Sequence, residues 1–212
     1  MFSVYTNMDS GPLLRATKSF SPLMSDFFRD GEMYSLDLSL DEAHILINLV
    51  EQLLELLGEG DFNHHYDESD PFAQLMAQLG AAPDEITTPE DPVLLRLLPN
   101  AYSDPEAAAD FRRYTEPTLR GKKKRALKQV HAALEVIVDE DRAGQVVDLD
   151  SEIWLMVIND LRLALSVRLE INQDSFELFE ALPDSDPQKA IYAVYFWLGW
   201  LQESLLNLLT NG

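Results

Sequence analysis

Three groups of residues have the types and spacing to do chemistry. The first is a basic stretch over 112–128. It holds Arg112, Arg113, Arg120, Lys122, Lys123, Lys124, Arg125 and Lys128, opposed only by Glu116. Cations crowded this closely can hold phosphates or carboxylates through charge-assisted hydrogen bonds. The stretch carries +7 in a chain whose net charge is −21, leaving −28 on everything else. The second group is Asn159, Asp160, Arg162 and Arg168, polar side chains in the otherwise apolar run SEIWLMVINDLRLALSVRLEI over 151–171. Burying such groups costs several kcal/mol unless they are paired. They could form a buried site for an anionic ligand or an internal ion-pair and hydrogen-bond network, and the network is favoured because no cofactor motif accompanies them. The third is Asp61, His64, His65, Asp67 and Asp70, which offer nitrogen and oxygen ligands to a divalent metal. Adjacent histidines point apart, and the central glycine and terminal glutamate of a calcium loop are missing. That segment reads as a solvated acidic loop, and no metal site is assigned.

Enzyme signatures are lacking. The nine glycines form no GxGxxG or GxxxxGK phosphate cradle. No Gly-x-Ser-x-Gly elbow is present, and four histidines leave little for acid–base work. With no cysteine there is no thiolate nucleophile, thiolate zinc cluster or iron–sulfur centre. The expectation is a non-catalytic protein with no catalytic residues and no cofactor.

The elements that must position these groups are mostly helices. Ser39-Leu40-Asp41-Glu42 is a capping box, followed by an apolar face at Leu46, Leu49, Val50, Leu53, Leu54 and Leu57, with Gly58 and Gly60 as the stop. Four Asp-Pro pairs, at 70–71, 91–92, 104–105 and 186–187, read as helix starts. The first opens a short helix ending at Gly80, the second a single turn over 93–98, and the third a helix through Tyr114. Thr115-Glu116-Pro117 looks like a further cap, starting a new helix that runs to about Val138. On that helix Leu119, Ala126, Val130, Ala133 and Ile137 share one face, with Arg120, Lys124, Arg125, Lys128 and His131 opposite. The runs 151–171 and 187–209 are apolar nearly all round and predict buried helices, with Trp154, Leu161, Leu165, Leu198, Leu201 and Leu205 in the core. The first forty residues carry strand-like segments at 13–20 and 32–38, joined through Pro22, Asp30 and Gly31. The fold expected is mainly α, a multi-helix orthogonal bundle around two buried central helices with a small N-terminal β-hairpin. It forms a single domain over 1–212, extended or hairpin over 1–38 and helical over 39–212.

Absence of cysteine fits a reducing cytoplasm. The N-terminus lacks a signal-peptide layout, and the longest apolar run, 190–201, is too short to span a bilayer. The acidic balance disfavours nucleic acid and anionic membranes.

Several segments resemble an uncharacterised actinobacterial domain family whose genes usually sit beside the adaptor of the Clp protease. They are LLPNAYSDPEAAADFRRYTEPTLR over 97–120, WLMVINDLRLALSVRL over 154–169 and YFWLGWLQESLLNLL over 195–209. The resemblance implies a mostly helical bacterial cytoplasmic protein. It supplies no activity, although some members are labelled transcriptional regulators.

The basic stretch therefore has three readings: a solvated helix face that neutralises acidic surface of this chain or of a sister subunit, a site for an acidic protein partner, or a nucleic-acid contact. The function expected is a non-catalytic interaction or regulatory domain. Arg112, Arg113, Arg120, Lys124, Arg125 and Lys128 form its binding surface, a protein is its partner, and a homo-oligomer stays open. The alternative is a DNA-associated transcriptional regulator, which the net charge opposes.

Overall fold

The computed structural model describes residues 25–59, 89–139, 144–146 and 148–211. Their elements, in chain order, are β1 (Phe27–Asp30), β2 (Met33–Leu38), α1 (Leu40–Glu59), α2 (Pro92–Leu97), α3 (Pro105–Asp139), β3 (Gly144–Val146), α4 (Ser151–Arg168), α5 (Ser175–Ala181) and α6 (Pro187–Asn211). The segment 13–20, the acidic His64-His65 loop and the helix expected after Asp70-Pro71 lie outside the described residues.

The protein is mainly helical with a small antiparallel sheet of order β1-β2-β3. The hairpin forms, with a different first strand from the one the sequence suggested. Phe27–Asp30 pairs with Met33–Leu38, Asp30 facing Met33 across the two-residue loop Gly31-Glu32. Gly31 has φ +64. Primed hairpin turns need such a positive value at the first central position, and glycine reaches it without a steric penalty. β3 adds to the far edge of β2 with Leu36 opposite Val146.

The capping box forms as read. The Ser39 amide and hydroxyl both donate to Glu42 Oε2, and the Glu42 amide donates back to Ser39 Oγ at 3.3 Å. Glu42 is buried, and its other oxygen accepts from Ser25 Oγ, which itself accepts the indole N–H of Trp197. This chain of bonds ties the start of α1 to α6. Asp91, Asp104, Asp150 and Asp186 all accept first-turn amides.

One long helix replaces two shorter ones. α3 runs unbroken for 35 residues with Pro117 inside it. Proline in a helix interior removes one backbone bond and costs about 3 kcal/mol, which is why Thr115-Glu116-Pro117 looked like a boundary. Thr115 is no cap either: its hydroxyl donates to the Phe111 carbonyl one turn back.

α4 and α6 pack on each other, as their apolar sequences require, and bury Trp154, Leu161, Leu198, Leu201 and Leu205. Leu165 is only half-buried. α1 and α3 share the centre with them through Leu46, Val50, Leu53 and Leu57 against Leu127, Val130, Leu134 and Ile137. A smaller aromatic cluster of Phe179, Tyr192 and Phe196 joins α5 to α6.

Candidate interaction surface

α3 carries the basic stretch, and its orientation decides what the cations do. Its core line is Leu127, Val130, Leu134 and Ile137, all buried. Followed back toward the N-terminus in steps of three and four, this line reaches Lys123, Arg120, Glu116 and Arg112, which are buried as well. The inward face is therefore apolar in its C-terminal half and ionic in its N-terminal half.

The ionic half is engaged with the protein itself, with Arg112 Nε left as a buried donor without a partner among the described residues. Glu116 places one carboxylate oxygen on Arg112 and the other on Arg120, each one turn away. Arg112 also donates to the Leu98 carbonyl at 2.9 Å and to Asn100 Oδ1 at 2.5 Å. Arg120 donates to the Leu57 carbonyl at 2.9 Å. Leu57 lies in the last turn of α1, and Leu98 is the residue that closes α2. Carbonyls at helix C-termini lack helical partners and carry partial negative charge. The triad's surplus positive charge thus meets two helix ends. One turn further on, Lys123 Nζ donates to both Asp160 oxygens at 2.7 and 2.8 Å, joining α3 to α4. Burial pushes the Asp160 carboxyl above its ordinary value, although Lys123 pulls the other way.

This corrects the expectation that Arg112 and Arg120 face outward. An apolar-only reading put the buried arc on Leu119 and Ala133. The true arc is rotated by about half of one residue's 100° step, bringing Arg120 in and leaving Leu119 39% exposed. Arg113 and Lys124 are half-buried and engaged with their surroundings. Arg125 and Lys128, with Lys122 beside them, stand exposed. His131, expected on the basic arc, lies between α1 and α3, with Nε2 3.1 Å from Glu51 and Nδ1 3.4 Å from Glu135.

What α3 does present outward is a ridge of Phe111, Tyr114, Thr118, Lys122 and Arg125, flanked by Lys128. Tyr114 is 70% exposed, and Tyr102 stacks edge-on against Phe111 at 5.6 Å. The aromatic end of this ridge was missed. Its signal was the position of Phe111 and Tyr114 on the arc opposite the ionic line, which is legible only once that line is identified.

The second polar group separates in the same way. Asp160 is buried and paired with Lys123. Arg162 is half-buried and meets no carboxylate among the described residues. Instead it donates to Gln202 Oε1, lies 5.3 Å over the Tyr195 ring, and rests against Gly199. Asn159 accepts weakly from Gln202 at 3.4 Å. Arg168 is exposed and bonds Asp91 at 2.7 Å. Burial opposes ionisation of Asp91, but the Arg168 guanidinium and the amides of Val93 and Leu94 prevail and hold its carboxyl below the usual range. These four residues thus link α4 to three different elements and do not converge on one site.

Among the described residues, no helix is long and apolar enough to cross a membrane. No solved structure matches this chain. Two curated relatives, from Mycobacterium bovis and Mycobacterium tuberculosis, are both named oxidative stress regulator AosR. Each is 33% identical over 195 residues, covering 85% of this chain and 84% of the relative. The family described as a domain of unknown function, DUF2017, matches residues 24–209, and the chain belongs to that family.

Proposed function

We propose that this protein is a cytoplasmic, non-catalytic regulator that works by holding an acidic protein partner on the outward ridge of α3. The observation that carries this reading is the composition of the ridge: exposed aromatics beside exposed cations, in a chain that is otherwise strongly acidic. Tyrosine and arginine dominate binding energy at protein interfaces, and a local cationic face on an acidic body selects for acidic partners. The names of the mycobacterial relatives support a regulatory role, and the response to oxidants that those names print is carried here as part of the proposal. Within these 212 residues there is no cysteine, so no thiol switch can form in them. A regulator of this composition would receive an oxidant signal through its partner.

The test is capture from native lysate by the wild type and by Lys122→Gln/Arg125→Gln/Lys128→Gln, combined with a gel shift on duplex DNA at two salt concentrations. The Clp adaptor suggested by the family resemblance is one protein to probe for directly. Partner capture should fall in the triple variant, with no retarded DNA at either salt. A DNA-associated regulator would instead show retardation weakening with a log–log salt slope of about −2.7, the value for three phosphate contacts. That slope with capture unchanged would reject the protein-partner reading.

A further inference from the structure

A second face of the molecule has a shape and charge opposite to the α3 ridge. Between α1 and α4 lies a trough of about 410 Å³, open to solvent on one side. Leu49, Leu53 and Leu56 form one wall, and Leu161, Ala164 and Leu165 the other. Each wall follows the i, i+3, i+4, i+7 line of its helix, completed by Gln52 on α1 and Arg168 on α4. Two such lines make a slot about two turns long, roughly 10 Å at 1.5 Å per residue. Val93 of α2 closes one end, and Leu53, Val93 and Leu161 are the most deeply buried of the lining residues. The volume falls within the range of ligand sites. It suits a few aliphatic side chains laid in from above.

The lips are polar and asymmetric. On the α4 side Arg168 is already bonded to Asp91, which also holds the Val93 amide at 2.7 Å. On the α1 side Glu55 stands exposed. The lips therefore carry one surplus negative charge, within a chain of −21 that attracts cations at long range. A slot walled by two helices, with apolar residues below and a free carboxylate on its rim, matches helix-in-groove recognition.

We propose that this trough is a docking site for a cationic amphipathic helix of a protein partner. Two apolar side chains one turn apart enter between Leu53 and Leu165, and a lysine or arginine on the flank of that helix meets Glu55. This site is separate from the α3 ridge and does not depend on the function proposed above. A chain with both sites would bridge an acidic partner and a basic one.

The test uses the full chain and a fluorescent helical peptide with leucines at i, i+3, i+4 and i+7 and lysines elsewhere. A scrambled peptide of the same composition and a glutamate-for-lysine peptide serve as controls. Anisotropy titrations at moderate salt should show the patterned cationic peptide binding at least about tenfold more tightly than either control. Ala164→Trp, which fills the trough from a half-buried position, should weaken it about tenfold or more, and Glu55→Lys about three- to tenfold, with melting temperatures kept. Changes on the α3 ridge should leave peptide binding untouched. Equal binding of the scrambled peptide, or unchanged binding to both Ala164→Trp and Glu55→Lys, would overturn the proposal. So would a photo-crosslinker at position 164 that, without peptide, reacts with a second copy or with residues 60–88 of its own chain.

Discussion

Replacing Glu116 with alanine removes the one carboxylate shared by two buried guanidiniums. Arg112 and Arg120 are each 4% exposed, and Glu116 is 5% exposed. In Glu116→Ala both arginines keep their carbonyl contacts with Leu98 and Leu57 and lose their one anionic partner among the described residues. Breaking one buried pair by deleting a single member costs about 3–5 kcal/mol. Two cations are stranded here, so the cost should sit near 5 kcal/mol. In a domain of this size 1 kcal/mol moves the melting temperature by about 2–4 °C, which gives a fall of roughly 10–20 °C. The contrasting variant is Arg112→Met/Glu116→Leu/Arg120→Met. It removes every charge and forfeits the bonds to Leu57, Leu98 and Asn100, each worth about 1 kcal/mol, while gaining apolar packing. It should therefore be less damaged than the single change. Urea denaturation followed by circular dichroism measures both. A Glu116→Ala midpoint within about 1 kcal/mol of wild type, or a triple variant less stable than the single one, would refute the reasoning that this triad is a buried, mutually dependent unit.

Two further outcomes follow from the ion pairs around α4. Burial raises the Asp160 carboxyl above its ordinary value, with Lys123 pulling the other way. Between the unfolded and the folded pKa the folded state binds more protons, so this group's contribution falls as pH rises through that window. Lys123→Met removes the opposing influence and widens the window upward. The urea midpoint of the variant relative to wild type should decline from acid to neutral pH, and a flat or rising difference would count against the buried pair. Asp91 is shifted the opposite way, so its contribution is present above the unfolded value and is lost as pH falls. Asp91→Ala removes both the α2 cap and the Arg168 contact and should cost about 1–2 kcal/mol at neutral pH. Arg168→Met, at a half-exposed position, should cost under about 1 kcal/mol.

Much of the fold was legible from single residues. The capping box, the aspartate caps and the apolar runs located α1, α2, α4 and α6 because each signal is local and chemically unambiguous. The hairpin's first strand was misplaced because Phe27–Asp30 is too short to show an alternation. β3 and α5 were missed for the same reason: three and seven residues are held by what they pack against. The error on α3 was of another kind. Treating charge as a marker of solvent sent Arg112 and Arg120 outward, whereas Glu116 stood at the right place to neutralise them. The spacing that places Arg112, Glu116, Arg120 and Lys123 on the line of Leu127, Val130 and Ile137 was present in the sequence. Hydrophobicity alone could not show it.

The division of one basic stretch into a structural face and a binding face can be measured on its lysines. Amine acetylation by a water-soluble ester, read by mass spectrometry, compares Lys122, Lys123 and Lys128 in one experiment. Lys122 and Lys128 are exposed, whereas the Lys123 side chain is 11% exposed and held by Asp160. In the free protein Lys122 and Lys128 should react readily and Lys123 slowly. With the captured partner bound, Lys122 and Lys128 should become protected while Lys123, already held by Asp160, is unchanged. Equal reactivity of Lys122 and Lys123 in the free protein, or unprotected Lys122 and Lys128 in the complex, would contradict the account.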